Sequence, residues 1–335
     1  MRVLIVKTSS LGDLIHALPA VTDAARNLPG IRFDWVAEEG FAEIPGWHPA
    51  VERVIPVALR RWRKNWLAAW RAGEIPAFLR RLRERDYDCV VDAQGLLKSA
   101  VLTRLAQGAR CGPDLCSARE PLAALFYARR FAVPRDRHAI DRVRQLFAAA
   151  LNYEFDPMGL DYGLNPANFA LPAFLHSQPA YLVFLHGTTW PSKRLPAEQW
   201  TELARRADDA GHAVLLPWGN AAERETAQSI AAGATNARVL PRLKLTEMAG
   251  VLAHARGVIG VDTGLAHLAA AFGKPALTIY TATFPERTGA RGTQQCCVVA
   301  GGTARSTRQT PGLRVETLPD GVNAAGIWKL WNSGG

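Results

Sequence analysis

Short apolar runs punctuate the chain, each followed by a polar loop and then by apolar residues at helical spacing. The first run is residues 2–6 (RVLIV). It ends at Lys7-Thr8-Ser9-Ser10, after which Leu14, Ile15, Leu18, Val21 and Ala25 recur every three or four positions, the period of a helix with one buried face. A second unit starts at residues 33–36 (FDWV). A third starts at Cys89-Val90-Val91-Asp92, with the loop Ala93-Gln94-Gly95 and a helix through residues 100–105. The pattern then fades between 152 and 178, where Pro157, Gly159, Gly163, Pro166 and Pro172 fall. It restarts with residues 181–185 (YLVFL), the loop from His186, a helix over 200–210 and a strand over 213–216 that ends at Pro217-Trp218-Gly219. Residues 258–261 and 276–280 are two more strands, with Asp262-Thr263-Gly264 and a helix between them.

Continuous apolar strands that alternate with helices predict parallel sheets covered on both faces. The chain therefore reads as α/β, with two Rossmann-like domains. The Pro- and Gly-rich stretch is the natural boundary: residues 1–160 form the first domain, 161–178 a linker, 179–315 the second domain and 316–335 a tail. That tail is read as a helix returning to the first domain. Ligands of such sheets bind beyond the carboxyl ends of the strands. Two of them facing across a cleft place a site there.

Composition narrows the partners. The 335 residues are 48% hydrophobic and 21% charged, with a net charge of +10. Such a surplus points to an anionic partner: a phosphorylated metabolite, an acidic membrane surface or nucleic acid. No helix-turn-helix, zinc-finger or RNA-binding signature accompanies the charge, so nucleic acid is not expected. Cys89, Cys111, Cys116, Cys296 and Cys297 are odd in number and form no C-x-x-C pair, which argues against a disulfide framework or a zinc site. The first apolar run is too short for a signal peptide, and none reaches the ~18–20 residues of a spanning helix. A cytoplasmic chain with at most peripheral membrane contact is expected.

Four stretches carry candidate chemistry. Ser10 and Asp13 have the S-x-x-D spacing of a capping box, yet Asp13 also sits where a strand opens into a loop, a place for a general base. The loop lacks G-x-G-x-x-G, which disfavours a nicotinamide oxidoreductase. In 261–267 (VDTGLAH), Gly264 permits a tight turn and the following helix offers unpaired N–H groups to a diphosphate; a capped helix with an ordinary histidine fits the same residues. In 186–193 (HGTTWPSK), Lys193 suits charge growing on a departing diphosphate, or is a surface lysine. In 59–71, Trp62, Trp66 and Trp70 are spaced by four beside Arg60, Arg61, Arg63, Lys64 and Arg71. That spacing predicts one helical face, packed into a core or laid on a membrane.

Together these stretches resemble the ADP-heptose:lipopolysaccharide heptosyltransferases of glycosyltransferase family 9, and among them those that add the first heptose. The resemblance runs through MRVLIVKTSSLGDLIHALPAVTDA, FDWVAEEGFAEIP, WHPAVERVIPVALRRWRK, VVDAQGLLKSA, AREPLA, LPWG and VDTGLAHLAAA, and covers the chain to about 285. It implies a GT-B fold and inverting transfer from ADP-heptose to Kdo-lipid A with no metal or other cofactor, at the cytoplasmic face of the inner membrane. The family's catalytic aspartate falls on Asp13, with Lys193 as its charge-stabilising partner. Its nucleotide-sugar contacts fall on Thr188, Thr189, Lys193, Glu223, Leu243, Asp262, Thr263, Gly264 and His267. Its acceptor side falls on Ser10, Arg60, Arg61, Arg63, Lys64, Arg119 and His138.

The sequence departs from the family at Thr281-Ala282-Thr283, where a G-P-T-like turn is usual, at Leu243, where relatives carry methionine, and over Arg287–Arg308. Two other readings are a sister enzyme adding the second heptose and a non-enzymatic basic module that binds membrane or nucleic acid.

Overall fold

The structure is a computed structural model and describes residues 1–301, 310–319 and 321–334. Two compact units divide it, Met1–Leu164 and Asn165–Gly335. Of the divergent stretch Arg287–Arg308, residues 302–308 lie outside the described residues.

The first unit holds β1 (Arg2–Val6), β2 (Arg32–Glu38), β3 (Val51–Val57), β4 (Tyr87–Asp92), β5 (Gly108–Pro113) and β6 (Arg129–Phe131). Their order is β3-β2-β1-β4-β5-β6, and every pairing is parallel. Val3, Leu4, Ile5 and Val6 are fully buried, because helices cover both faces of the sheet. Connections leave β1 and β4 in opposite directions, so a crevice opens beyond the carboxyl ends of those two strands. The register pairs Val6 with Asp92, which sets the loop from Lys7 level with the loop from Ala93.

The second unit holds β7 (Tyr181–Leu185), β8 (Ala213–Leu216), β9 (Ala237–Val239), β10 (Gly257–Val261), β11 (Ala276–Tyr280), β12 (Gln295–Ala300) and β13 (Arg314–Leu318). The order β13-β12-β11-β10-β7-β8-β9 is again parallel throughout. Counted from its own first strand it repeats the order of the first unit, with one strand added at the edge. Its crevice lies beyond β7 and β10.

Three expectations change. The stretch read as a linker is part of the second unit from Asn165 onward. Its apolar side chains anchor it: Phe169 packs on Phe272 with ring centroids 4.8 Å apart, and its carbonyl accepts from His254 Nε2 at 3.0 Å. The C-terminal helix Ala324–Gly334 exists, but it does not return to the first unit. Ile327, Trp328 and Trp331 close the core of the second, with Trp200 and Phe184.

The tryptophan stripe, finally, is not one helix. Helix Leu59–Trp62 stops, and Asn65 starts Trp66–Arg71 by accepting a hydrogen bond from Ala68 N. Trp62 is consequently buried against Phe78, its Nε1 donating to Glu74, while Trp66 and Trp70 are 61% and 51% exposed.

All five cysteines are free thiols. Among the described residues no helix is long and apolar enough to cross a membrane.

Candidate active site

In the first unit, the loop after β1 enters the short helix Leu11–Ile15. Ser10 donates to Asp13 Oδ2 from its backbone N at 2.8 Å and from Oγ at 3.1 Å. The capping arrangement therefore forms, and it fixes the carboxylate on the wall of a cavity of about 100 Å³. Lys7, His16, Gln94, Arg119 and Arg142 share that wall with Asp13.

The loops around it are tied together. Gln94 Oε1 accepts from Thr8 N and Thr8 Oγ1, both at 2.8 Å, and its Nε2 donates to Ser9 O. Asp92 Oδ1 accepts from the N–H groups of Gln94 and Gly95, and Oδ2 from Tyr127 OH at 2.7 Å. Gly95 turns here with φ +67°, where a Cβ would press on the Arg119 backbone. Lys7 is buried and donates to Ala93 O at 2.9 Å. Burial lowers its pKa, against the pull of Asp13 and Asp92. A buried lysine is rarely incidental, and its place as the first residue past an apolar strand was the signal for it.

Arg119 and Arg142 of that wall lie close enough to Arg135 for their charges to interact. Burial lowers the pKa of Arg142, and the positive charges of Arg135 and Arg119 lower it further. Its Nε is buried with no hydrogen-bond partner among the described residues. Such a cluster suits an anion, since an anion would satisfy the donor and relieve the repulsion. Arg142 escaped the sequence reading because a helix-face arginine some 130 residues from Asp13 has no distinguishing spacing.

His138 is buried and starts the helix Ala139–Leu151, its Nδ1 accepting from Ile140 N, and its ring meets the edge of His16 at 5.8 Å. His16, rather than His138, is on the cavity wall. The basic run divides by commitment. Arg61 pairs with Glu39 and Glu74, and Arg60 lies over the Phe41 ring at 5.3 Å. The exposed Arg63 and Lys64 side chains make no ion pair among the described residues.

In the second unit, Lys193 Nζ donates to Asp262 Oδ2 at 2.6 Å, Thr283 Oγ1 donates to the same oxygen at 2.6 Å, and His267 Nε2 lies 3.5 Å from Oδ1. Burial alone would raise the Asp262 pKa. His267, Lys193 and Thr283 together outweigh it and hold the carboxyl well below the usual range. Thr281 Oγ1 donates to Ser192 O at 2.7 Å. The departure at Thr281-Ala282-Thr283 thus supplies one hydroxyl to the lysine loop and one to Asp262, the partner of Lys193.

Thr263 precedes helix Gly264–Ala271 and makes no side-chain cap, so the first amides stay available to an anion. Thr188 is buried and Thr189 exposed. Glu223 lies against Gly187, where a Cβ would come within 2.7 Å of its carboxyl carbon; its Oε2 accepts from Gly219 N and its carbonyl from His186 Nε2. Leu243 is half-buried in the loop after β9. Among the described residues no three His, Cys, Asp or Glu side chains gather as a metal site would need.

Comparison with known proteins shows the family. Residues 75–312 match glycosyltransferase family 9 (heptosyltransferase). The chain is 58% identical over 298 residues to lipopolysaccharide heptosyltransferase 1 of Pseudomonas aeruginosa, an overlap spanning 88% of this chain and 82% of that one. It is 50% identical over 296 residues to lipopolysaccharide heptosyltransferase 1 of Escherichia coli K12, spanning 88% and 92%. Among solved structures it is similar to the E. coli heptosyltransferase WaaC with ADP, at a TM-score of 0.88 and 45% identity over 99% of both chains.

Proposed function

This chain belongs to glycosyltransferase family 9, the heptosyltransferases, and from that premise we propose that it moves L-glycero-D-manno-heptose from ADP-heptose onto a Kdo hydroxyl of Kdo-lipid A. Heptose transfer in lipopolysaccharide core biosynthesis is its activity. The observation that carries the finer reading is the first unit's cavity, where the Asp13 carboxylate and the Arg119–Arg142 cluster share one wall. That wall offers a base for a sugar hydroxyl and a grip for the carboxylates and phosphates of the acceptor.

The reaction is a single displacement with inversion. Asp13, oriented by Ser10, takes the proton of the acceptor hydroxyl. The oxygen bonds to the anomeric carbon of the heptose while the bond from that carbon to the diphosphate oxygen breaks. The electron pair leaves on ADP. Lys193 and the amides at Thr263 and Gly264 meet that growing charge, and such donors contribute several kcal/mol between them (roughly 3 for each well-placed one). Lys193 has three N–H donors, one of them spent on Asp262, so two remain for the diphosphate. Charge stabilised in this way leaves no step that requires a metal. Thr188, Thr189, Glu223, Leu243 and His267 complete the donor side, and Arg63 and Lys64 extend the acceptor side. The acceptor is lipid-borne, so the chain works at the cytoplasmic face of the inner membrane as a peripheral protein.

The test is a transfer assay with ADP-heptose and Kdo-lipid A, run with and without a chelator. Transfer that survives chelation supports the whole reading. Transfer that stops on chelation overturns the metal-free step, and transfer only onto an already heptosylated acceptor overturns the choice of Kdo.

A further inference from the structure

We propose that the surface formed by helix Leu97–Leu105 and the turn Pro121–Phe126 docks on an anionic bilayer, the one that carries the acceptor. The proposal rests on the reading of the acceptor as lipid-borne. Leu97, Val101, Leu122 and Leu125 are 40%, 43%, 60% and 60% exposed. They are not scattered. The helix and the turn meet through a small buried cluster of Ala100, Ala123, Ala124 and Tyr127. Three alanines and Tyr127 fill the inside of this pair of elements, while three leucines and a valine stand on its outside. Leucine and valine are side chains that burial ordinarily takes inside. A grouped apolar exposure of this kind marks a docking face.

Charge identifies the occupant. Between residues 97 and 130 lie six basic side chains (Lys98, Arg104, Arg110, Arg119, Arg129 and Arg130) and two acidic ones, Asp114 and Glu120. Glu120 is already engaged, accepting from Leu97 N at 2.6 Å. Exposed apolar side chains on a stretch of chain with a surplus of cations match an interface of acyl chains under anionic headgroups. An acidic protein partner would match the cations and leave the leucines without a role.

Position supports the same occupant. Lys98 Nζ reaches to 3.4 Å from Ser9 Oγ, beside the loop that holds Asp13. Arg119 lies on the cavity wall and is two residues from the start of the turn. A lipid whose sugar headgroup enters the cavity therefore has its acyl chains next to this face.

The experiment is co-sedimentation of the full chain with vesicles of phosphatidylethanolamine and phosphatidylglycerol, comparing wild type with the double substitution Leu122→Gln, Leu125→Gln. Both side chains are exposed, so the fold tolerates the change, and an unchanged Tm verifies it. The variant is expected to bind the vesicles about tenfold more weakly or worse. Its transfer onto Kdo-lipid A embedded in vesicles should fall to match, while transfer onto a deacylated, water-soluble acceptor stays at the wild-type rate.

Wild-type vesicle binding by the variant would overturn the proposal. So would loss of binding in Trp66→Ser, Trp70→Ser alone, or a wild-type dimer that the leucine substitutions convert to monomer. Absent transfer onto the soluble acceptor, with vesicle binding that still depends on the leucines, would remove the assigned substrate and leave the docking face standing.

Discussion

The two units repeat one strand order and open their crevices at the same place, yet they put opposite chemistry there. Each has a buried aspartate at the end of the strand beside its first: Asp92 in the first unit and Asp262 in the second. Asp92 accepts from two loop amides and a tyrosine, and burial still pushes its pKa up. Asp262 sits among a lysine, a histidine and a threonine, and its pKa is held down against the same burial penalty. The first aspartate is spent on loop shape. The second serves as an electrostatic anchor for Lys193. A shared topology therefore fixes where ligands bind, while the few side chains past each strand decide which end of a reaction is handled there.

The largest expected effect tests the asymmetry directly. Asp13→Ala should lower kcat/KM for transfer by about 10²–10⁴-fold and leave ADP-heptose binding, measured by calorimetry, unchanged. Near-normal turnover would break the assignment of base chemistry to the first unit.

Next come the two buried aspartates. Asp262→Asn leaves Lys193 without its partner and should cost about 3 kcal/mol, read from denaturant unfolding. The two sites should also differ in pH slope. The folded pKa of Asp262 lies below its unfolded value of 3.8, so its contribution is present above that pH and lost on acidification. The folded pKa of Asp92 lies above 3.8, so its contribution is full below that pH and fades as pH rises through the folded value. Parallel slopes for Asp262→Asn and Asp92→Asn would contradict the contrast.

Acid should also expose a weakness at a buried histidine of the first unit. His48 is buried, accepts from Ala50 N and meets Thr22 Oγ1 at 3.0 Å. Burial lowers its pKa from 6.5 to about 4, with Asp161 opposing. Protons therefore bind the unfolded chain first, and stability falls as pH drops from 6.5 towards 4, by up to about 3 kcal/mol. His48→Gln should flatten that part of the profile.

The smallest effect concerns the free cations of the basic run. Arg63→Ala with Lys64→Ala should weaken Kdo-lipid A about tenfold, more at low salt than at high, and spare the donor. Equal weakening of both ligands would blur the division between units.

Much of this layout was legible in the sequence. Strands buried on both faces are apolar throughout, so β1, β4, β7, β10 and β11 stood out, and the loops after them followed. What stayed hidden depended on distant packing. Gln94 and Arg142 come to the same cavity as Asp13 through the parallel register and a covering helix, which no local spacing announces. The break at Asn65 was masked because Arg63 and Lys64 favour helix as much as their neighbours do; only the cap at Ala68 N reveals a second start. The stretch before Pro179 looked like a linker by composition, while Phe169 decided its fate by packing. At Thr281 and Thr283 the sequence showed only a departure from the family's usual turn, and packing gives their hydroxyls Ser192 O and Asp262 as partners.

The tether between Lys193 and Asp262 has one more consequence. A free lysine side chain surrenders up to about 1.5–2 kcal/mol of rotamer entropy when a ligand immobilises it. Here folding has already immobilised it, at 2.6 Å from a carboxylate that stays ionised. On the donor-side role proposed for Lys193, binding begins from an ammonium group already frozen in place, and any substitution that loosens Thr283 or His267 should return that entropy cost to the encounter with the nucleotide sugar.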